Sequence, residues 1–272
     1  LRKRLPCLPP IEGPFLADNT PFEHGTWEQD YFGFHRFGQM ETPLWFFNPF
    51  SRKHFPCPAK HWTEISDFSE DSGDIKIIWE LSRFDWCIHF AVRYRRSGDS
   101  KWLGLLEKWL RAWCLENPAN QGPNWKCGQE AGIRIFHLAT AMQILGRGIE
   151  TPAMSEFFRQ HLERISATLS YAIAQNNNHG TSEAGALFIG GALFARFQPS
   201  EIKGFEWRDL GRKWLEERVS HLIEADGTFS QYSMNYHRVM LDTVTMVEYF
   251  RRVLNEPEFS NRFYTRARAA TV

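Results

Sequence analysis

Three stretches of this 272-residue chain carry side chains that hold charge or move protons at places caps, turns and solvent explain poorly. The first runs Gln175-Asn176-Asn177-Asn178-His179-Gly180-Thr181-Ser182-Glu183-Ala184-Gly185. His179 and Glu183 stand four apart, so they share a face if a helix has already begun. A helix break in which Thr181 or Ser182 caps the next helix accounts for the same residues. The second stretch is Asp226-Gly227-Thr228-Phe229-Ser230-Gln231-Tyr232-Ser233-Met234-Asn235-Tyr236-His237-Arg238. Asp226-Gly227 signals a turn, and a helix resumes near Asn235. Tyr236 and His237 then leave its first turn, where backbone N–H groups favour negative charge. A tyrosine packed there with a wet hydroxyl is the plainer alternative. In the third stretch, Gly122 to Arg134, Glu130 and Arg134 form an i,i+4 pair off the apolar face, which reads equally as a solvated helix pair.

Metal chemistry finds little support. His54, Cys57 and His61 form a loose HxxCxxxH group, but a structural zinc wants four ligands and no fourth is evident. The five cysteines are an odd number without a CxxC. Neither a metal nor another cofactor is expected.

The elements that must hold these groups are helical. Residues 1–73 are rich in Pro, Gly and aromatics and keep no helical period, which predicts an extended leader with short helices or strands packed on the helices after it. From Ile75 the apolar residues recur at three and four. Ile77, Leu81, Phe84, Ile88 and Ala91 predict one helix, and Leu103, Leu106, Leu110 and Trp113 a second. Ala131 to Leu145, Phe158 to Ile173, and Ala184, Phe188, Gly191 and Ala195 predict three more. The small residues of the last of these would let a neighbouring helix come close. Trp214, Arg218 and Leu222 mark a sixth face, Val239, Thr243, Val247 and Phe250 a seventh, and an eighth begins near Phe259. Short links between consecutive helices favour antiparallel pairs. The fold class is mainly α, and a bundle, a solenoid or a closed toroid would each bury such stripes.

Composition narrows the partners. Lys+Arg and Asp+Glu number 32 each, a balance that argues against nucleic-acid binding. No apolar run is long enough to span a membrane. Eleven Trp and 23 Phe can line a carbohydrate cleft or fill a helical core.

Taken in order, NWxxGQExxIR, NNHxxxEAxxLxxxG and DGxFxQxSxxYHR resemble the heparinase II/III-like polysaccharide lyases. Asp74-Ile75-Lys76 with Trp79-Glu80-Leu81-Ser82-Arg83-Phe84 is similar to that family's first toroid helix. The resemblance covers roughly residues 40–270. It implies an incomplete (α/α) toroid over residues 74–272, with the family's C-terminal β-sandwich domain absent from this chain and expected in a longer protein. It also implies an acidic polysaccharide substrate cleaved by β-elimination.

Removing the C5 proton of a uronate requires electrostatic stabilisation of the developing aci-carboxylate, a base at C5 and an acid at the oxygen on C4. By motif position, the resemblance makes Asn178 a donor to the substrate carboxylate, His179 its assistant and Tyr236 the base, the acid or both. A tyrosine acting as base needs cationic help, for which His237 and Arg238, also expected to bind substrate, are the local candidates. Glu183 would hold the Asn-His turn in shape. Gln129, Glu130 and Arg134 would line the cleft, with Arg134 a partner for a carboxylate, and Trp125 would offer a stacking surface.

Three other readings compete. A non-catalytic carbohydrate-binding toroid would keep aromatic and Arg contacts but lose the proton-transfer set. A uronate-acting glycoside hydrolase would need a carboxylate pair, for which Asp226 and Glu183 could be nominated. A helical-repeat scaffold would show a recurring unit of roughly 30–45 residues, and none is found.

Overall fold

The computed structural model describes residues 4–16, 30–31, 35–36, 42–56, 59–70 and 73–271. Three antiparallel two-residue ladders occupy the leader: β1 (Asp30–Tyr31) with β2 (His35–Arg36), β3 (Phe47–Asn48) with β4 (Lys53–His54), and β5 (Phe68–Ser69) with β6 (Gly73–Asp74). Helices come next: α1 (Lys76–Leu81), α2 (Asp85–Ser97), α3 (Lys101–Glu116), α4 (Gly128–Leu145), α5 (Pro152–Ala174), α6 (Asn178–Phe197), α7 (Ile202–Leu222), α8 (Met234–Val253) and α9 (Asn261–Ala269). No helix of the described residues is long and apolar enough to cross a membrane.

The single helix expected from Ile77 to Ala91 is two. The chain breaks at Ser82–Phe84, where Phe84 takes a left-handed φ of 69° as the residue before α2. That conformation is unfavourable for a bulky residue and needs support from its surroundings. The support is tertiary. The Trp113 indole donates to Ser82 Oγ at 3.0 Å, the Trp86 indole to the Leu81 carbonyl at 3.2 Å, and the Phe84 ring is fully buried against Trp86, Trp113 and Phe157.

The chain forms two compact units. One comprises Leu5–Glu130 and His137–Phe157. Its core is aromatic: Trp86 packs within 6.0 Å, centroid to centroid, of Trp45, and within 5.2 Å of Trp109. The Glu107 carboxylate on α3 accepts the N–H groups of Phe15 and Leu16, both at 2.9 Å, so this part of the leader is fastened to the helices.

The other unit comprises Leu1–Arg4, Ala131–Phe136 and Phe158–Val272. Helix α6 is its centre, buried along nearly its whole length. It packs antiparallel on α7 at backbone contact, as its small residues led one to expect. A Cβ on Gly191 would lie 2.3 Å from the Arg208 amide nitrogen, and one on Gly211 2.3 Å from that of Phe188. Only glycine permits that approach, and a methyl at either place would cost about 3 kcal/mol by forcing the helices apart.

Candidate functional site

The turn entering α6 is built from its own asparagines. Asn176 adopts φ 50°, a left-handed conformation that asparagine tolerates. Asn177 then caps the helix, its Oδ1 accepting the His179 N–H at 2.9 Å. The capping role considered for Thr181 or Ser182 is thus corrected. Helix α6 has already started, and both hydroxyls donate back to the Asn178 carbonyl, at 3.0 and 2.8 Å. Arg218 of α7 reaches across to Asn176 Oδ1 at 2.8 Å, and Gly180 leaves the room for it, since a Cβ there would lie 2.9 Å from Arg218 Cδ. Sequence reasoning missed Arg218 as a support, although a charged residue on a predicted apolar stripe was a usable signal.

The early start puts His179 and Glu183 on one face, with Nδ1 and Oε1 3.3 Å apart. The imidazole side chain is 27% exposed and the carboxylate 3%. Burial pushes the Glu183 carboxyl up from its ordinary value of 4.5, while the His179 hydrogen bond and the Arg164 charge oppose the shift. The second carboxylate oxygen, Oε2, is buried without a hydrogen-bond partner among the described residues. With Nδ1–H donated to Glu183, the neutral ring carries its lone pair on Nε2. That tautomer follows from the hydrogen bond rather than from a located proton. Asn178 itself is 2% exposed.

The Asp226–Ser233 loop locks onto this turn. Asn178 N–H donates to Gln231 Oε1 at 2.8 Å, and Ser230 Oγ donates to the Asn176 carbonyl at 3.3 Å. Gly227, at φ 91°, lies against the end of α9, where a Cβ would meet the Ala269 carbonyl oxygen at 2.1 Å. The NNHxxxEAxxLxxxG and DGxFxQxSxxYHR motifs are therefore one piece of structure. Tyr236 is the third residue of α8 and 45% exposed. It heads the stripe that continues through Met240, Thr243 and Val247, and the last two meet Gly185 of α6.

The two cations expected to assist Tyr236 do not share that stripe. Successive helical residues turn by about 100°, so His237 and Arg238 leave α8 roughly 100° and 200° away from it. His237 donates from Nε2 to the Ala270 carbonyl at 2.8 Å, tying α8 to the end of α9. Arg238 is exposed and lines a cleft of about 600 Å3 with His237, Tyr232 and Met234.

Other expected contacts are corrected by burial. Trp125 is 1% exposed, packs against Trp113 and donates its indole N–H to the Asn117 carbonyl at 3.0 Å, so it is core and offers no stacking face. Arg134 is fully buried, with Nε donating to His161 Nε2 at 2.9 Å, and presents nothing to a substrate carboxylate. Glu130 is buried in an ion pair, Arg83 donating to both of its oxygens at 2.8 and 2.9 Å. Gln129 is half-buried.

For the metal reading, Cys57 lies outside the described residues. Both ring nitrogens of His61 are engaged, Nδ1 with Thr63 Oγ1 at 2.7 Å and Nε2 with the Leu5 carbonyl at 2.9 Å. Among the described residues, no group of three His, Cys, Asp or Glu is placed to hold a metal.

Comparison with known proteins places this architecture. The family described as heparinase II/III N-terminus matches residues 44–271. A heparin-sulfate lyase of Bacteroides thetaiotaomicron is 28% identical over 165 residues, 58% of this chain and 23% of that protein. One of Pedobacter heparinus is 25% identical over 175 residues, 62% of this chain and 26% of that protein. The chain thus spans about a quarter of the length of the curated relatives it matches. The crystal structure of heparinase III superposes with a TM-score of 0.58 at 21% identity, covering 75% of this chain and 33% of that one. This likeness gives the chain the mainly-α, (α/α)-toroid fold class. With 44–271 matched as one continuous stretch, the chain belongs to the heparinase II/III family, in its N-terminal part.

Proposed function

We propose that this chain is the helical part of a polysaccharide lyase that cleaves a uronic-acid-containing polysaccharide by β-elimination. The observation that carries the reading is the lock between the Asn178–Glu183 turn and the loop leading into Tyr236, through the Asn178 N–H to Gln231 Oε1 bond. It holds an imidazole, a buried carboxylate and a solvent-facing phenol on neighbouring segments of one unit. The relatives named heparin-sulfate lyases point to an acidic polymer.

In this scheme Tyr236 is the base that takes the proton from C5, the acid that protonates the oxygen on C4, or both. The C5–H electrons form the C4=C5 double bond, and the C4–O bond breaks. The departing oxygen takes a proton from the Tyr236 phenol or from water. His179, the exposed member of the pair, serves the uronate carboxylate, and Asn178, 2% exposed, shapes the turn beneath it. A donor aimed at that carboxylate is worth most where charge accumulates in the transition state. Glu183 acts through His179 by fixing the ring's tautomer and orientation. It is a positioning residue.

The test is to incubate the protein, extended to its natural C-terminus, with a panel of uronate polymers and follow ultraviolet absorbance of the unsaturated product. A rise with one polymer, reduced about 100-fold or more by Tyr236→Phe, is expected. Binding of a polymer without any absorbance would replace this reading with that of a carbohydrate-binding toroid.

A further inference from the structure

The cleft beside α8 is not the Tyr236 face. It is walled by the Asp226–Phe229 turn, by the stripe of α8 carrying Met234, His237, Arg238 and Leu241, and by Ala269 at the end of α9 with the two residues after it. Its volume of about 600 Å3 suits a sugar ring with its substituents.

Two of its residues are poorly explained by folding alone. Tyr232 is 83% exposed, so its ring stabilises no core. Its backbone is nevertheless held at φ 48°, a left-handed conformation that a bulky residue adopts unfavourably. The restraints lie on the residues before it: Phe229 is buried and accepts the Tyr232 N–H at 3.0 Å, while Ser230 and Gln231 are bonded to the entrance of α6. An aromatic ring is thus held out over a cleft by a turn that glycine would suit better. Strain of this kind, retained on an exposed aromatic, marks a working position.

Arg238 is the second. It is exposed, and among the described residues no side chain or carbonyl accepts from its guanidinium. Exposed Arg95, Arg96 and Arg196 share that condition, so what sets Arg238 apart is its place in the cleft. The cleft's one carboxylate, Asp226, turns an oxygen back to the Thr228 N–H at 2.9 Å, so it closes its own turn. Met234, 78% exposed, adds apolar surface.

We propose that this cleft binds an anionic sugar ring of the polysaccharide, with Tyr232 covering the ring's apolar face and Arg238 forking onto its carboxylate or sulfate. The idea rests on the lyase reading for its ligand class but assigns a site separate from the Tyr236 stripe. It makes the cleft a holding site that raises affinity for the polymer without touching the reacting carbon. Flat rings match the apolar faces of sugars, and a guanidinium matches a planar or tetrahedral oxyanion through paired donors.

The experiment uses the full-length protein carrying Tyr236→Phe, so that turnover does not consume the probe. Hexasaccharides of heparan sulfate, alginate and polyglucuronate are titrated by calorimetry, with a neutral dextran hexasaccharide as control. Arg238→Gln is expected to weaken the tightest-binding acidic probe about tenfold. Tyr232→Gly should weaken it about as much while the melting temperature holds or rises, because glycine relieves the backbone at that position. That combination separates a binding role from a folding role. Tyr232→Phe should keep affinity, since the ring face remains.

Unchanged affinity in both Arg238→Gln and Tyr232→Gly would overturn the proposal, as would failure of the parent protein to bind any acidic probe. The lyase reading fails independently, when the protein with Tyr236 intact releases no unsaturated product although the affinities still fall as described.

Discussion

Glu130, in the first turn of α4, and Glu183, in the second turn of α6, are equally buried at 3% exposure and opposite in their partners. Glu130 has both oxygens held in the fork of Arg83, and Arg83 is further bonded to Glu80 at 2.5 Å. Glu183 has one oxygen 3.3 Å from an imidazole and the other without a partner among the described residues. A saturated buried carboxylate fixes structure. A half-satisfied one behind a partly exposed histidine keeps spare capacity to accept a proton or a hydrogen bond. The two residues occupy similar places in their motifs, and only their surroundings close one into an ion pair and leave the other half-satisfied.

Removing each carboxylate is the direct way to break that contrast. Glu130→Ala should lose about 3 kcal/mol of unfolding free energy, from the stranded guanidinium and the cavity left behind. The 29% exposure of the Arg83 side chain keeps the loss from being larger, because water screens what remains. Urea unfolding followed by tryptophan fluorescence measures it. A change within about 0.5 kcal/mol would show that the ion pair is not part of the frame. Arg83→Lys comes next, at about 1.5 kcal/mol, because an ammonium cannot make the fork to Glu130 and also hold Glu80.

Glu183→Gln should behave differently. At neutral pH its stability should hold, or rise by up to about 1 kcal/mol, since a buried charge is replaced by a neutral amide that still accepts from His179. Turnover on a uronate polymer should nevertheless fall about tenfold in kcat with KM little changed, as expected of a residue that orients another. Loss of stability comparable to that of Glu130→Ala would erase the distinction between the two glutamates.

Much of this was legible from residue spacing, and the remainder has identifiable physical causes. Apolar recurrence at three and four located the helices, and Gly191 among small residues announced the α6–α7 approach. The break at Ser82–Phe84 was hidden because indole hydrogen bonds from Trp113 and Trp86 stabilise it, and no local signal encodes partners that come from elsewhere in the chain. Motif order pointed to Asn178, His179 and Tyr236 as one group, with Glu183 as its support. It could not say which polar motif residues are covered. Arg134 and Trp125 sit off or between stripes, yet His161 and Trp113 close over them. Tyr232 lay inside a quoted motif and passed as a spacer, because its exposure and left-handed backbone are visible only in three dimensions.

The smallest effect is the most specific to Glu183. Its carboxyl is raised above 4.5 by burial, with His179 and Arg164 opposing, so between 4.5 and the raised value the folded protein holds more protons than the unfolded chain. Stability therefore falls as pH rises through that window. The penalty is absent below 4.5 and complete once pH passes the folded-state value. Glu183→Gln has no proton to release, so the wild type should lose stability relative to it as pH rises above 4.5. Paired urea titrations of the two proteins at a series of pH values measure this difference. A gap that stays flat, or that widens in favour of the wild type as pH rises, would mean that Glu183 is as well compensated as Glu130. The contrast between the two helix starts would then lie in partner chemistry alone, a guanidinium fork at one and an imidazole at the other.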